Sequence, residues 1–200
     1  FGGCVGLGRL FGSDNLGAFL FTMLQTLLMA YALGESIHLM RRLGVRRGFQ
    51  LAALAFYGLT PIFGAFAQAV GKDTLYAATL LLFTLQTVET LRFGAPKGRA
   101  LLRYTLWALL SSLLRTNGLY VTLGAAAVLI AFGVRGRERL RVGGALAGAL
   151  AAALLFTYAL IPALGIADVS ASGLYSVLFQ QSARAVRDHV LTEGKVWLDT

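Results

Sequence analysis

Three short clusters of basic residues divide this chain into long hydrophobic stretches. They are Arg41, Arg42, Arg46 and Arg47, then Arg92, Lys97, Arg99 and Arg103, then Arg135, Arg137, Arg139 and Arg141. These loops hold twelve of the 18 basic residues, and the only acidic residue among them is Glu138. Because cytoplasmic loops of membrane proteins are enriched in Lys and Arg, the pattern predicts a polytopic membrane protein with all three loops inside.

The composition agrees with a membrane location. Hydrophobic residues make up 57% of the chain and charged residues 14%, whereas soluble domains carry about 25% charged residues. The net charge of +9 raises the alternative of nucleic-acid binding. The charge lies in short loops between apolar stretches rather than on one face, so we predict contact with anionic lipid and not with nucleic acid.

Cysteine and histidine are too few for two common kinds of site. Cys4 is the single cysteine, and the two histidines, His38 and His189, are far apart in sequence. These residues predict neither a disulfide framework nor a metal site. The chain begins at Phe1 without a signal-peptide pattern, and we interpret it as an internal fragment of a longer protein.

The apolar stretches predict an all-α bundle of about six transmembrane spans with both ends external. The spans run approximately over residues 16–40, 49–70, 74–91, 101–114, 119–134 and 142–164. Ser13 or Asp14 is placed to cap the first helix, and Pro61 should kink the second. Residues 1–165 would form the bundle. Residues 166–200 would begin an external segment containing an amphipathic helix.

The stretch from Leu101 to Val134 presents a choice between two topologies. It has about 34 residues, too many for one span and few for two, because a helix rises 1.5 Å per residue. A single tilted helix would place its two basic flanks on opposite sides of the membrane. A hairpin that turns at Arg115–Gly118 keeps both flanks inside, and we therefore predict the hairpin.

The predicted turn contains the strongest candidate for a binding site. Arg115 interrupts an apolar run and is followed by Asn117 and Gly118. A guanidinium group binds phosphate through a planar fork of donors, and the free N–H groups of the next helix add to an anion site. We predict phosphate or pyrophosphate binding by these three residues. The alternative is an arginine that extends to the external headgroups.

Other polar residues are weaker candidates. Lys72 and Asp73 occupy the short external turn before the third span, where Asp73 could cap the helix, border the site, or do both. Glu35 and His38 lie one turn apart and could relay protons or make an ordinary polar contact. Glu89 is spaced to pair with Arg92 on its own helix. In the external segment, Gln180, Gln181 and Arg184 could meet a sugar or headgroup, or form an interfacial surface.

The order of these features resembles the GT-C superfamily of membrane glycosyltransferases, in an uncharacterised bacterial branch. The matching segments are Phe11–Asn15, Arg41–Gly44, Pro61, Lys72-Asp73, Leu113–Leu119 and Phe179–His189. The resemblance implies transfer of a sugar from a polyprenyl-phosphate carrier to an unidentified acceptor on the external face of the inner membrane. It assigns the phosphate contact to Arg115 and a structural or site-edge role to Asp73.

The resemblance also implies what this stretch of chain lacks. GT-C enzymes carry a catalytic Asp or Glu base in the first external loop, which we expect upstream of Phe1. We therefore assign no catalytic residue or cofactor to this chain, and a divalent metal would depend on residues outside it. The alternative function is a transporter or flippase of lipid-linked saccharide, since transport sites often use broken helices. A polysaccharide polymerase is a third possibility.

Overall fold

A computed structural model describes Gly6 and residues 13–68, 71–133 and 136–163, and within them the chain is helical with no β-strand. The helices are α1 (Asp14–Arg42), α2 (Arg47–Leu59), α3 (Pro61–Gln68), α4 (Lys72–Phe93), α5 (Arg99–Leu114), α6 (Thr116–Val128) and α7 (Arg137–Leu155). Helices α6 and α7 continue as π-helical turns at Leu129–Gly133 and Phe156–Leu160, and a short helical turn follows at Ile161–Ala163. The chain divides into two compact units, Phe1–Phe156 and Thr157–Thr200. The predicted all-α class is confirmed for the described residues.

Local signals explain where several helices begin. The Ser13 side chain accepts a hydrogen bond from the backbone N–H of Leu16, so the predicted cap of α1 is confirmed. The predicted kink at Pro61 is a complete break, because Thr60 is extended and a new helix begins at the proline. Helix α4 begins earlier than predicted. Its cap is Gly71, and Asp73 lies inside the first turn, so the capping role proposed for Asp73 is wrong.

The core of the first unit lies where α4, α5, α6 and α7 meet. Helix α7 buries one stripe of residues at helical spacing, namely Val142, Leu146, Ala149 and Ala153. The first three of these pack in one cluster with Phe83, Tyr104 and Leu129. The Phe83 and Tyr104 rings are stacked with centroids 5.3 Å apart. Small residues on α7 allow this close approach of helices.

The described residues of the three basic clusters lie at one end of the bundle. The Arg42 guanidinium is ion-paired with Glu89 and lies 4.5 Å from the centroid of the Phe93 ring, which joins the first cluster to the second. Lys97 lies 3.8 Å from Glu138 and joins the second cluster to the third. We call this the basic end.

The opposite end is where α4 begins and α5 ends. Asp73 and Arg115 form an ion pair there, and we call it the Arg115 end. Asp73 and Phe93 are separated by about 30 Å along α4, since an α-helix rises 1.5 Å per residue. That distance equals the hydrocarbon thickness of a typical bilayer. The position of the basic loops at one end and of Arg115 at the other agrees with the rule that basic loops share one side of the membrane.

The surface of the bundle is rich in large apolar side chains. Leu59, Phe132 and Leu140 are 81%, 85% and 78% exposed. Three helices are long and apolar enough to cross a membrane, at Asn15–Arg42, Lys72–Phe93 and Arg137–Ala163, and Asn117–Gly133 forms a shorter apolar helix. An exterior of this kind fits a hydrocarbon environment better than water.

Candidate binding site at the Arg115 turn

The chain reverses direction at Arg115. This residue is extended, with φ −154° and ψ 138°, and it ends α5 and precedes α6. The Ser112 and Thr122 hydroxyl oxygens are 3.1 Å apart, although ten residues of continuous helix would separate them by about 15 Å. The predicted reversal is therefore confirmed, but the break is confined to Arg115, because α6 already begins at Thr116.

Gly118 allows the two helices of the hairpin to touch. Its backbone N–H donates to the Arg115 carbonyl oxygen at 2.8 Å. Gly118 is buried, and a Cβ atom at this position would overlap the Ser111 carbonyl group and lie 2.9 Å from the Ser112 nitrogen. The structure thus shows that Gly118 permits close packing of α5 and α6. Its role in anion binding stays a prediction.

Arg115 is held in place by two side chains of α4. Its Nη1 atom lies 3.2 Å from Oδ1 of Asp73, and its guanidinium carbon lies 5.8 Å from the centroid of the Tyr76 ring. The side chains of Arg115 and Asp73 are 49% and 65% exposed, so the pair adds little stability by itself. Its effect is to orient the guanidinium while leaving donors free, since the group carries five N–H bonds.

Two further predicted residues lie at the same end. Lys72 precedes Asp73 in the first turn of α4, and Asn117 follows Arg115 in the first turn of α6. Both are exposed. The Arg115 end thus presents two cations and one carboxylate on adjoining helix starts, where the helix dipoles also favour an anion.

An apolar cavity begins directly beside the ion pair. Its volume is about 320 Å³, and it lies between α1, α3 and α4. The lining side chains are Met29, Ile62, Phe63, Phe66, Asp73, Thr74 and Ala77. Thr74 donates a hydrogen bond to the Phe66 carbonyl oxygen at 2.7 Å, which ties the end of α3 to α4. Asp73 lines the cavity and also pairs with Arg115, so the apolar cavity and the charged site have this residue in common.

Other predicted residues lie elsewhere. Gln180, Gln181 and Arg184, with the predicted external helix, fall outside the described residues. Glu35 and His38 line one narrow cavity near the basic end, together with Gln86 and Glu89. The expected pairing of Glu89 with Arg92 is wrong, because its partner is Arg42 on α1. An ion pair between two helices cannot be predicted from the spacing of residues along either helix.

Sequence reasoning missed Tyr76 and the apolar cavity. Tyr76 lies three residues after Asp73, on the same face of α4, so the spacing rule could have added it to the site. The cavity had no such signal, since it depends on how α3 packs after the break at Pro61. Within the described ranges, no group of three or more His, Cys, Asp or Glu residues could hold a metal ion.

The fold and the site define a helical bundle with three helices long and apolar enough to cross a membrane and an ion-paired arginine at one end. Residues 1–192 match a family described as a family of unknown function, DUF6020, and the chain belongs to that family. No curated protein and no solved structure matches the chain significantly.

Proposed function

We propose that this chain is part of a polytopic membrane glycosyltransferase that uses a polyprenyl-phosphate-linked sugar as donor. The supporting observation is that Asp73 both lines the apolar cavity and pairs with the Arg115 guanidinium. A polyprenyl phosphate has the same two parts, an apolar chain joined to a phosphate. The described residues would bind the carrier. The proposal assigns them no role in the chemical step.

The charges at the Arg115 end suit a phosphate. Lys72 and Arg115 supply donors, and Asn117 adds a polar side chain at the start of α6. In the resting state Asp73 occupies one part of the Arg115 fork at 3.2 Å. An incoming phosphate competes with that carboxylate or uses the remaining donors of Arg115. The proposal therefore predicts opposite effects of removing the two members of this ion pair.

The decisive test measures polyprenyl phosphate binding to the purified full-length protein. Arg115→Ala should weaken binding about 10- to 100-fold, because a hydrogen bond to a charged group is lost. Asp73→Asn should leave binding unchanged or strengthen it about two- to fivefold, since the competing charge of an exposed pair is removed.

The matched control is Arg47→Ala, an exposed arginine at the start of α2 and at the basic end. This change should leave the affinity within about twofold, because exposed pairs of charges contribute little. Equal losses in Arg115→Ala and Asp73→Asn would indicate a structural ion pair and contradict the anion site.

The proposal includes six spans, an inner-membrane location, and the Arg115 end on the external face. Single cysteines in a Cys4→Ser background test this arrangement through an impermeant maleimide applied to intact cells. Lys72→Cys and Asn117→Cys should be labelled from outside. Gly48→Cys, Ala100→Cys and Arg139→Cys should be labelled only after permeabilisation, because they lie in or beside the basic loops.

The choice of positions follows from the backbone. The loop glycines Gly44, Gly94, Gly98 and Gly136 have positive φ, where a side chain would introduce strain. The substituted positions avoid that strain and are exposed in the structure. External labelling of all three basic-end cysteines would invert the proposed orientation.

A second candidate function is a transporter or flippase of lipid-linked saccharide. The observation in its favour is the break at Thr60–Pro61, which leaves extended backbone between two apolar helices. Discontinuous helices commonly form transport sites. Reconstituted vesicles distinguish the two functions. A flippase moves the lipid-linked sugar between leaflets without an acceptor, whereas a glycosyltransferase consumes it only when an acceptor is present.

A further inference from the structure

Helix α3 forms one wall of the apolar cavity at the Arg115 end. It contributes Ile62, Phe63 and Phe66, whereas the other lining residues belong to α1 and α4. None of its described side chains is buried, and Ile62 and Phe66 are 53% and 56% exposed. Because empty space lies on its inner side, α3 lacks part of the dispersion contact that a helix against a filled core would have.

The backbone at the start of α3 is separated from α2. Thr60 is extended, with φ −83° and ψ 112°. Its N–H donates to the Phe56 carbonyl oxygen at 3.0 Å, and its own carbonyl oxygen accepts from the N–H of Phe63 at 3.3 Å. Pro61 has no N–H and cannot bond to the Tyr57 carbonyl oxygen. Among the described residues, no backbone hydrogen bond runs directly from α2 to α3. A residue of this kind can absorb a change in φ and ψ, as hinge residues do.

The two ends of α3 are held by different interactions. Near the break, the Phe63 ring packs edge-on against the rings of Phe56 and Tyr57, with centroids 5.6 Å and 5.5 Å away. At the other end, the Thr74 hydroxyl donates to the Phe66 carbonyl oxygen at 2.7 Å. Thr74 is 4% exposed, so this hydrogen bond lies in surroundings of low dielectric. The end of α3 that is distant from the break is therefore attached to α4 through Thr74.

Helix α2 has its own attachment to α1. The Tyr57 hydroxyl oxygen lies 3.2 Å from Oγ of Ser36, which is 7% exposed. Rotation at Thr60 would therefore displace α3 and leave α2 in place. Lipid chains are as apolar as the side chains of α3, so in a bilayer the hydrophobic effect does not hold α3 against α4. The hydrogen bond of Thr74 then opposes the displacement.

We propose that α3 is a lid on the apolar cavity, which turns about Thr60 and is kept closed by the hydrogen bond between Thr74 and Phe66. Opening admits an apolar chain from the bilayer, and closure holds that chain beside the Arg115 end. The proposal rests on the proposed function only for the identity of the chain, which would be the isoprenoid part of the carrier. Movement of α3 can be measured without phosphate and without any ligand.

The test measures distances between spin labels by double electron–electron resonance on the full-length protein in lipid nanodiscs, in a background without native cysteines. The pair Gly64→Cys and Thr84→Cys reports the position of α3 relative to α4. Both positions are exposed, and a Cβ atom at Gly64 would meet nothing within 4 Å. The pair Leu54→Cys and Thr84→Cys reports the position of α2, since Leu54 is exposed on that helix.

Thr74→Val removes the hydroxyl group with little change in shape. It should raise the ratio of open to closed α3 about three- to tenfold, as expected for one hydrogen bond between membrane helices. The distances from Leu54 should not change. The matched control is Thr79→Val, because Thr79 is 1% exposed on the same helix and its hydroxyl contacts the carbonyl oxygens of Leu75 and Tyr76 within that helix. This control should leave both distance distributions unchanged.

Geranylgeraniol, an isoprenoid alcohol without phosphate, tests whether the lid covers the cavity. A chain that fills the cavity packs against closed α3, so it should restore the closed distance in Thr74→Val, because a ligand shifts the equilibrium toward the state that it binds. Ala77→Phe should abolish this response, since the larger side chain occupies the cavity from α4. Arg115→Ala should leave the response intact, because the probe carries no phosphate.

The outcomes separate this proposal from the proposed function. Equal distance distributions in Thr74→Val and Thr79→Val, or equal movement of the two label pairs, would overturn the lid. The same holds if geranylgeraniol does not close α3, or closes it also in Ala77→Phe. Opening and closure as expected, together with binding of polyprenyl phosphate that does not depend on Arg115, would support the lid and contradict the proposed function alone.

Discussion

Gly118→Ala is expected to destabilise the bundle by about 3 kcal/mol, because the added methyl group overpacks a site that cannot give way. The obstacle is the Ser111 carbonyl group, which is part of the helix backbone and has no alternative rotamer. Relief of the overlap requires separation of α5 from α6. That movement would weaken the buried hydrogen bond between Ser112 and Thr122.

The measurement is the thermal unfolding midpoint of the purified protein in detergent, with Gly124→Ala as the control. Gly124 lies on the same helix, and a Cβ atom there would meet nothing within 4 Å. Gly124→Ala should be neutral or stabilising by up to about 1 kcal/mol, since alanine is the better helix former. Equal midpoints for the two variants would show that the hairpin does not pack through Gly118.

Phe83→Ala is expected to cost about 3 kcal/mol through the cavity that it leaves in the core. Phe83 is 1% exposed and stacks on Tyr104, whose hydroxyl oxygen lies 3.0 Å from that of Thr87. This contact joins α4 to α5, the two helices that carry Asp73 and Arg115. The variant should therefore lower both the unfolding midpoint and the affinity at the Arg115 end.

The control for this variant is Phe132→Ala, which removes the same ring from a position that is 85% exposed. Its effect on the midpoint should stay within about 0.5 kcal/mol, as is usual for exposed positions. A large loss for Phe132→Ala with little change for Phe83→Ala would place the stabilising packing of the bundle elsewhere.

Local and periodic features of the sequence predicted much of the fold. The apolar stretches indicated helices, Ser13 indicated the start of α1, and the basic flanks of Leu101–Val134 required a reversal at Arg115. These predictions are correct because they depend on helix length, capping and charge, which act over one turn or one span. The three basic loops lie at one end because each pair of successive basic loops is separated by two helical stretches that run in opposite directions.

The candidate site could be predicted only in part. The sequence indicates Arg115, Lys72 and Asp73 as candidates because each is a charge beside an apolar run. The pairing of Asp73 with Arg115 could not be predicted, since it depends on the register between α4 and α5. The same limit explains two errors. Asp73 pairs with Arg115 instead of capping α4, and Glu89 pairs with Arg42 instead of Arg92.

The sequence by itself therefore determined that the chain is helical, where it reverses, and which loops share an end. Only the tertiary structure decided which charges meet, where the apolar cavity lies, and why Gly118 must be glycine. The physical reason is that helix formation depends on neighbours within about four residues. Helix rotation and register depend on how buried stripes such as that of α7 interlock with the rest of the core.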